Sequence, residues 1–252
     1  MKSDRKSGSW GETIRTIVYA LLIALVVRSF AFQPFNIPSG SMIPTLLVGD
    51  YLFVSKYSYG YSRYSFPFGL GFFSGRIFGS QPERGDVAVF RHPPRNDEDY
   101  IKRIIGLPGD RIQMKAGQLY INDVLAPRER TEDEVDKDPY GRVRRVEKYV
   151  ETLPNGRSYI IREALGSNGP TDNTREFVVP EGHYFAMGDN RDESLDSRGR
   201  NSEGALGFFV PYENLVGPAQ FIFFSTDGSA GWFKPWLWPT ATRWHRIFQS
   251  VE

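Results

Sequence analysis

An apolar segment near the amino terminus, residues 14–32, constrains this chain more than any other feature. It holds no charged residue between Arg15 and Arg28. At about 1.5 Å per residue, this uncharged part covers only about 18 Å of a hydrocarbon layer roughly 30 Å thick. The two arginines can reach towards the headgroups, and Phe30 and Phe32 extend the apolar end. We therefore predict a single transmembrane anchor over residues 14–32.

Three alternatives to an uncleaved anchor fit this segment less well. A cleaved signal peptide needs a small-residue site, which residues 28–33 do not supply. An amphipathic surface helix needs a polar face, which residues 18–27 lack. A buried core helix would suit the length, but the residues that follow have the pattern of β-strands.

Basic residues beside the segment predict its orientation. Arg28 follows it alone until Lys56, whereas four basic residues precede its uncharged part: Lys2, Arg5, Lys6 and Arg15. The positive-inside bias then keeps residues 1–13 in the cytoplasm and exports the remainder of the chain.

Composition excludes several classes of function. The chain of 252 residues has no cysteine, which excludes disulfides, cysteine nucleophiles and cysteine–zinc sites. Its 31 Lys and Arg nearly balance 30 Asp and Glu, so nothing indicates a nucleic-acid partner. A hydrophobic content of 40% is ample for a folded core.

Beyond the anchor, the pattern is typical of β-strands and turns. Asn155-Gly156 between two β-prone runs predicts a hairpin. The charged stretch 127–145 has few apolar residues, and we predict a solvated loop there. No long helical period follows the anchor. The predicted strands lie near residues 51–55, 86–90, 100–105, 148–153, 157–161, 176–179, 183–187 and 220–224.

Two segments carry candidate catalytic groups. Ser39 and Ser41 flank a glycine between two prolines, a combination that predicts a stiff loop. A serine hydroxyl is a poor nucleophile until a base takes its proton. By strand alternation Lys102 shares a face with Tyr100 and Ile104, and burial there would lower its pKa and let it act as a neutral base. Each segment alone also fits a plain turn or an exposed edge lysine.

The third segment, Gly188 to Arg198, is rich in small and charged residues, which indicates an ordered loop. Its acidic positions do not follow the spacing of an EF-hand, and arginines stand between them. We therefore expect no metal site in this loop.

Together with the anchor, these segments resemble the type I signal peptidases of the serine–lysine class. The resemblance rests on four segments in the same order along the chain: residues 37–46 (IPSGSMIPTL), 84–90 (RGDVAVF), 100–110 (YIKRIIGLPGD) and 188–194 (GDNRDES). The range from about 113 to 178 is similar only in general character.

The resemblance implies a role for individual residues. Ser41 would be the nucleophile, Lys102 its general base, and Ser39 a donor to the oxyanion beside the Ser41 backbone N–H. Ser194 would orient the lysine, supported by Asp196 and Arg198. Neither a metal nor a cofactor is implied. Six residues are candidates to line shallow pockets for small substrate side chains: Phe35, Ile37, Met42, Leu46, Tyr100 and Ile101.

The implied protein is a membrane-bound endopeptidase of the bacterial inner membrane. Its substrates would be exported preproteins with small residues at positions −1 and −3, and it would contact membrane lipid. The expected fold is mainly β, with the single helix followed by an exported all-β catalytic core over 33–110 and 180–252. A second β region would be inserted over 111–179.

Two other functions compete with this one. Ser41, His183 and Asp189 could form a Ser–His–Asp triad, since triads occur in any chain order. Alternatively, a non-catalytic β-domain could bind extended peptides at a sheet edge. Two aromatic regions, residues 57–78 and the tail with Trp232, Trp236, Trp238 and Trp244, suit either core packing or contact with the membrane interface.

Overall fold

The computed structural model describes residues 10–66, 74–93, 97–137, 141–199, 207–230 and 234–251. Its long helix, α1, covers Trp10–Phe30 and has a mean hydropathy of 1.7 over its most apolar stretch. At about 1.5 Å per residue this helix is about 31 Å long, which matches the hydrocarbon thickness of a membrane. The helix therefore starts and ends a few residues earlier than the predicted anchor. The basic residues Lys2, Arg5 and Lys6 lie outside the described residues.

The rest of the described chain is mainly β, as predicted. One further short α-helix, α2, covers Trp238–Ala241. The strands in chain order are β1 (Phe32–Asn36), β2 (Asp50–Ser55), β3 (Tyr61–Ser62), β4 (Arg76–Ile77), β5 (Val87–Arg91), β6 (Asp99–Gly106), β7 (Arg111–Lys115), β8 (Gln118–Ile121), β9 (Val124–Leu125), β10 (Arg128–Arg130), β11 (Glu134–Lys137), β12 (Val143–Thr152), β13 (Ser158–Glu163), β14 (Phe177–Val178), β15 (His183–Met187), β16 (Val210–Pro211) and β17 (Leu215–Ser225).

The largest sheet holds the candidate site. Its seven strands lie in the order β1-β2-β17-β5-β6-β15-β16, and each neighbouring pair is antiparallel. This order puts β6, which carries Lys102, between β5 and β15. The loop after β15 therefore starts beside the strand that carries the lysine.

Strands β7 to β14 form two smaller sheets. One has the order β14-β7-β8-β9, and the other has β10-β12-β11 with β13 also paired to β12. The first hydrophobic cluster joins Ile112, Ile121 and Ile161 of these strands to Ile105 and Phe185 of the largest sheet. The smaller sheets thus pack against the sheet that carries the site.

The stretch 127–145 is not the solvated loop that we predicted from its charges. It contains β10, β11 and the start of β12. These strands are held by backbone pairing and by ion pairs such as Arg144 with Asp136, at 3.4 Å. Because backbone pairing and ion pairs hold this exposed ribbon, its sequence lacks the alternation of apolar and polar residues that predicts a strand. The predicted hairpin at Asn155-Gly156 is confirmed, because β12 and β13 pair on either side of it.

Strand β1 corrects a second expectation, that the core strands begin near residue 51. It starts at Phe32, directly after α1, and all five of its residues pair with β2. Phe35 also packs against the cluster that contains Leu52 and Val54 of β2. The chain between the helix and Ser41 is therefore part of the sheet.

This pairing predicts different outcomes for two truncations. A chain that begins at Phe32 keeps β1, whereas one that begins at Ile37 loses its backbone hydrogen bonds and apolar contacts. We expect the shorter chain to unfold several degrees lower, since each kcal/mol shifts the midpoint by about 2–4 °C in a protein of this size. Thermal melts followed by circular dichroism compare the two. Equal midpoints would show that β1 adds nothing to the stability of the sheet.

Candidate active site

The turn that carries Ser41 is anchored on both sides. Before it, the backbone N–H of Ile37 donates to the carbonyl of Asp50 at 2.8 Å. After it, Met42 and Leu46 are fully buried in the cluster beneath β2 and β17. These anchors leave Ser41 itself at the base of an open groove, with 7% of its surface exposed.

Lys102 reaches this serine from strand β6. Its Nζ lies 2.7 Å from the Ser41 Oγ and donates a second hydrogen bond to the carbonyl of Ile101 at 2.9 Å. Only 4% of the lysine is exposed. The two residues are 61 positions apart in the chain, and the pairing of β5 with β6 helps to hold the lysine in place.

The surroundings of Lys102 favour its neutral form. Burial lowers the pKa of Lys102 to about 8, because the charged ammonium loses its hydration. The carboxylates of Asp196 and Asp189 raise it, and Arg198 lowers it further. With this pKa about half of the lysine is neutral at pH 8, whereas an ordinary lysine with a pKa near 10.4 is almost fully charged.

The loop after β15 carries a buried ion pair whose charges act on the lysine. Arg198 donates from Nε to Asp196 Oδ1 at 3.0 Å and from Nη2 to Oδ2 at 2.8 Å. The backbone N–H of Gly188 donates to the same carboxylate at 2.9 Å. Burial raises the pKa of Asp196, but Arg198, the Gly188 N–H and the Ser194 hydroxyl outweigh it and hold the pKa below its usual value. Asp196 is therefore a carboxylate, paired within its own loop.

Ser194 lies against Gly188 in this loop. A Cβ at Gly188 would lie 2.3 Å from the Ser194 Oγ and 2.5 Å from the carbonyl oxygen of Ser41, so only glycine fits. The Ser194 Oγ is buried, and its hydroxyl is one of the groups that lower the pKa of Asp196. Its orienting role towards Lys102 stays a prediction.

A second buried ion pair joins β6 to the loop after β15, and Thr45 connects it to the Ser41 turn. Arg103 donates from Nε and Nη2 to Asp189 at 2.9 and 2.8 Å, and both side chains are buried. The Thr45 Oγ1 donates to the same carboxylate at 2.5 Å. Sequence analysis missed this pair, although an arginine that alternates with Lys102 in an apolar strand must find a buried acid.

The same geometry rules out the triad with His183. The carboxylate of Asp189 is bonded to Arg103 and Thr45. His183 lies at the start of β15, whereas the candidate loop follows the end of that strand, and its Nδ1 is 2.9 Å from the Glu181 carbonyl. No acid–histidine–serine chain joins these groups.

An open groove of about 550 Å³ runs past Ser41 and Lys102. Its walls include Ser39 and four of the predicted pocket residues: Phe35, Ile37, Tyr100 and Ile101. Met42 and Leu46 were predicted to line it as well, but both side chains point into the core and anchor the turn instead. Sequence position alone did not separate the two sides of this turn.

No group of three or more His, Asp or Glu side chains within the described ranges has the arrangement of a metal site. The groups at the centre of the groove are a hydroxyl and a buried amine. They can support proton transfer and nucleophilic attack with this chain's own residues.

Comparison with known proteins assigns a family. The profile described as "Signal peptidase, peptidase S26" matches residues 10–224, a range that contains the whole candidate site. The chain belongs to the signal peptidase S26 family. It is 43% identical to a signal peptidase I of Rickettsia typhi, over 95% of this chain and 93% of the relative.

Other signal peptidases are similar to this chain to different extents. A signal peptidase I of Rickettsia canadensis is 43% identical over 100% of this chain and 98% of its own. Among solved structures, a signal peptidase I from Enterococcus faecalis V583 is 28% identical. That match covers 55% of this chain and 97% of the other, with a TM-score of 0.31.

Proposed function

We propose that this signal peptidase is a membrane-anchored serine endopeptidase that removes signal peptides from exported preproteins, with Ser41 as nucleophile and Lys102 as general base. The observation that carries the proposal is the 2.7 Å contact between the Lys102 Nζ and the Ser41 Oγ. Burial at the same point lowers the pKa of the lysine to about 8, within reach of a working base.

The first step is acyl transfer to the enzyme. Neutral Lys102 takes the proton of the Ser41 hydroxyl while the Oγ attacks the scissile carbonyl carbon. The carbonyl π electrons move to oxygen, which becomes the oxyanion of a tetrahedral intermediate. Lys102, now an ammonium ion, gives its proton to the leaving amine as the C–N bond breaks. The signal peptide remains as an ester on Ser41.

The second step is hydrolysis of this ester. Lys102, neutral again, takes a proton from a water molecule, which attacks the ester carbonyl. The proton then returns to the Ser41 Oγ as the acyl bond breaks. The carboxylates of Asp196 and Asp189, which raise the pKa of Lys102, stabilise its transient ammonium form in both steps. Ser194 supports the orientation of the lysine in this proposal.

Two donors stabilise the oxyanion. Ser39 is exposed on the groove wall beside Ser41, where its hydroxyl can approach a bound carbonyl. The Ser41 backbone N–H donates to no acceptor in the parts of the chain that the structure describes. Donors that meet the oxygen mainly in the transition state raise kcat rather than substrate affinity.

The groove suits an extended peptide with small side chains near the cleaved bond. Its walls include Phe35 of β1, Ile37 directly after that strand, and Tyr100 and Ile101 at the start of β6. In this proposal these apolar side chains, which line the same groove as Ser41, form the shallow pockets for positions −1 and −3. A preprotein cleavage site therefore enters as a strand across the nucleophile.

The helix α1 supplies attachment to the membrane. We place the amino terminus in the cytoplasm and the β-rich remainder on the outer face of a bacterial inner membrane, in a single pass. Because β1 begins two residues after the helix ends, the groove stays close to the membrane surface.

Aromatic side chains extend the membrane contact in this proposal. Phe66 packs edge-on against Phe30 at the end of α1, with ring centroids 5.6 Å apart. Trp236, Trp238 and Trp244 are exposed in the tail. Other aromatics assigned to such a patch lie outside the described residues: Phe68, Phe72, Phe73 and Trp232.

A domain that only bound peptides would not explain why Lys102 is buried. Taking an ammonium ion out of water is costly, and a binding groove gains nothing from placing its amine on a serine hydroxyl. The dyad uses both features.

Substitutions in the dyad test the proposal. Ser41→Ala and Lys102→Ala should each abolish cleavage of a preprotein with an Ala-X-Ala site, because one lacks the nucleophile and the other the base. Lys102→Arg should also fail, since a guanidinium stays protonated. Cleavage is followed by gel mobility of the mature product.

His183→Ala is the control for these variants. His183 makes its hydrogen bond away from the groove, so a folded variant should keep most of its activity. Loss of cleavage in folded His183→Ala, or its retention in Lys102→Ala, would contradict the dyad.

Ser39→Ala tests the oxyanion donor. We expect kcat to fall by about 10²–10³-fold with little change in KM, the range found when one such donor is lost. Steady-state kinetics on a peptide substrate separate the two constants. Full kcat in the variant would remove Ser39 from the mechanism and leave the assignment of Ser41 intact.

A further inference from the structure

Asn190 holds the turn that carries the nucleophile. Its side-chain Nδ2 donates to the carbonyl oxygen of Gly40 at 2.9 Å. Its backbone N–H donates to the carbonyl oxygen of Ser41 at 3.1 Å. We propose that Asn190 is a positioning residue, which turns the Ser41 backbone N–H towards the oxyanion. This inference rests on the proposed function, in which that N–H is a donor.

The first bond acts through the geometry of one peptide unit. The Gly40 carbonyl and the Ser41 N–H belong to the same planar group and point in opposite directions. When the Asn190 amide fixes the carbonyl oxygen, it therefore fixes the direction of the N–H. A hydrogen bond to the oxygen also polarises the peptide group, which makes its N–H a stronger donor.

The second bond fixes the peptide unit that follows. The Ser41 carbonyl, held by the Asn190 N–H, belongs to the peptide between Ser41 and Met42. With the peptide planes on both sides of the Ser41 Cα held, the direction of its side chain is also defined. The hydroxyl then faces Lys102 while the N–H faces the groove.

The orientation of the Asn190 amide follows from its neighbours. Its Nδ2 donates a second bond to the Oε2 of Glu193 at 2.9 Å. Because both neighbours are acceptors, the NH₂ group and not the oxygen must face them. The Oδ1 is buried and has no hydrogen-bond partner among the described residues. Burying this amide leaves its oxygen without a partner in the described part of the chain. The two hydrogen bonds that its NH₂ group donates are therefore the reason for an asparagine at this position.

Glu193 links this contact to the smaller sheets. Its other carboxylate oxygen accepts a hydrogen bond from Arg144 on β12, which also pairs with Asp136 on β11. Side-chain hydrogen bonds to Arg144 and Asn190 lower the pKa of Glu193, although burial raises it. The carboxylate, which lines the groove, is thus held as an acceptor that orients the Asn190 amide.

A matched pair of variants separates positioning from simple support of the fold. Asn214 is also buried, and its Nδ2 donates to the backbone carbonyl of Arg91 at 3.0 Å, outside the groove walls. Asn190→Ala and Asn214→Ala each remove a buried amide from a backbone carbonyl. Full-length protein in detergent is assayed on a preprotein with an Ala-X-Ala site.

We expect Asn190→Ala to lower kcat by about 10- to 10²-fold, the loss produced by a small misplacement of reacting groups. KM should change little, and the acid limb of the pH profile should stay where it is in the unaltered enzyme. Asn214→Ala should keep its kcat. An equal loss of kcat in the two variants, or a loss expressed only in KM, would overturn the inference. A shifted acid limb would also overturn it, since Asn190 would then act through Lys102.

If Asn190→Ala does not fold, Glu193→Ala provides the second test. Glu193 is exposed on the groove wall, so a change in KM would report altered substrate contact, whereas a change in kcat reports loss of the acceptor that orients the amide. We expect a several-fold lower kcat, and an unchanged kcat would overturn the inference.

The unaltered enzyme and Ser41→Ala in the same assay distinguish the two proposals. No cleavage by the unaltered enzyme, or cleavage by Ser41→Ala, would overturn the proposed function and this inference with it. Ordinary behaviour of both, combined with equal kcat in Asn190→Ala and Asn214→Ala, would overturn the inference alone.

Discussion

The burial of one lysine amine against one serine hydroxyl is the constraint on which the site depends. An ammonium ion at that position would lose most of its hydration, and the nearby carboxylates offset only part of this loss. The fold therefore holds Lys102 in a place that favours its neutral form, at hydrogen-bond distance from the Ser41 Oγ. The lowered pKa of Lys102 and its contact with the Ser41 hydroxyl have the same structural cause.

The two carboxylates near Lys102 are bonded to other groups, so the lysine amine stays available to the Ser41 hydroxyl. Asp196 is bonded to Arg198 and to the Gly188 N–H, and Asp189 is bonded to Arg103 and Thr45. Each carboxylate thus has its own partners and acts on Lys102 only through space. Removing one partner of such a buried pair typically costs about 3–5 kcal/mol, because the other charge is left uncompensated. The Arg103–Asp189 pair, together with Thr45, keeps the loop after β15 in register with β6 and the Ser41 turn.

Local sequence signals predicted the parts of the site that follow from strand alternation. Lys102 and Arg103 face opposite ways, and they contact Ser41 and Asp189 respectively. The partner of Arg103 could not be predicted, because it is 86 positions away and no local pattern marks it. Met42 was misplaced for a related reason, since apolar residues in an irregular turn carry no periodicity that separates core from groove. The ribbon of β10 and β11 was missed because ion pairs hold it together.

Direct titration of the Lys102 amine tests the central claim. Lysine side chains labelled with ¹⁵N can be followed by NMR in the full-length protein in detergent, with Lys102→Met to assign the resonance. Because burial lowers the pKa, Lys102 should lose its proton near pH 8, whereas ordinary exposed lysines titrate near pH 10.4. Cleavage activity should rise over the same pH interval as the amine becomes neutral. A Lys102 that titrates with the exposed lysines, while activity still rises near pH 8, would contradict its role as the base.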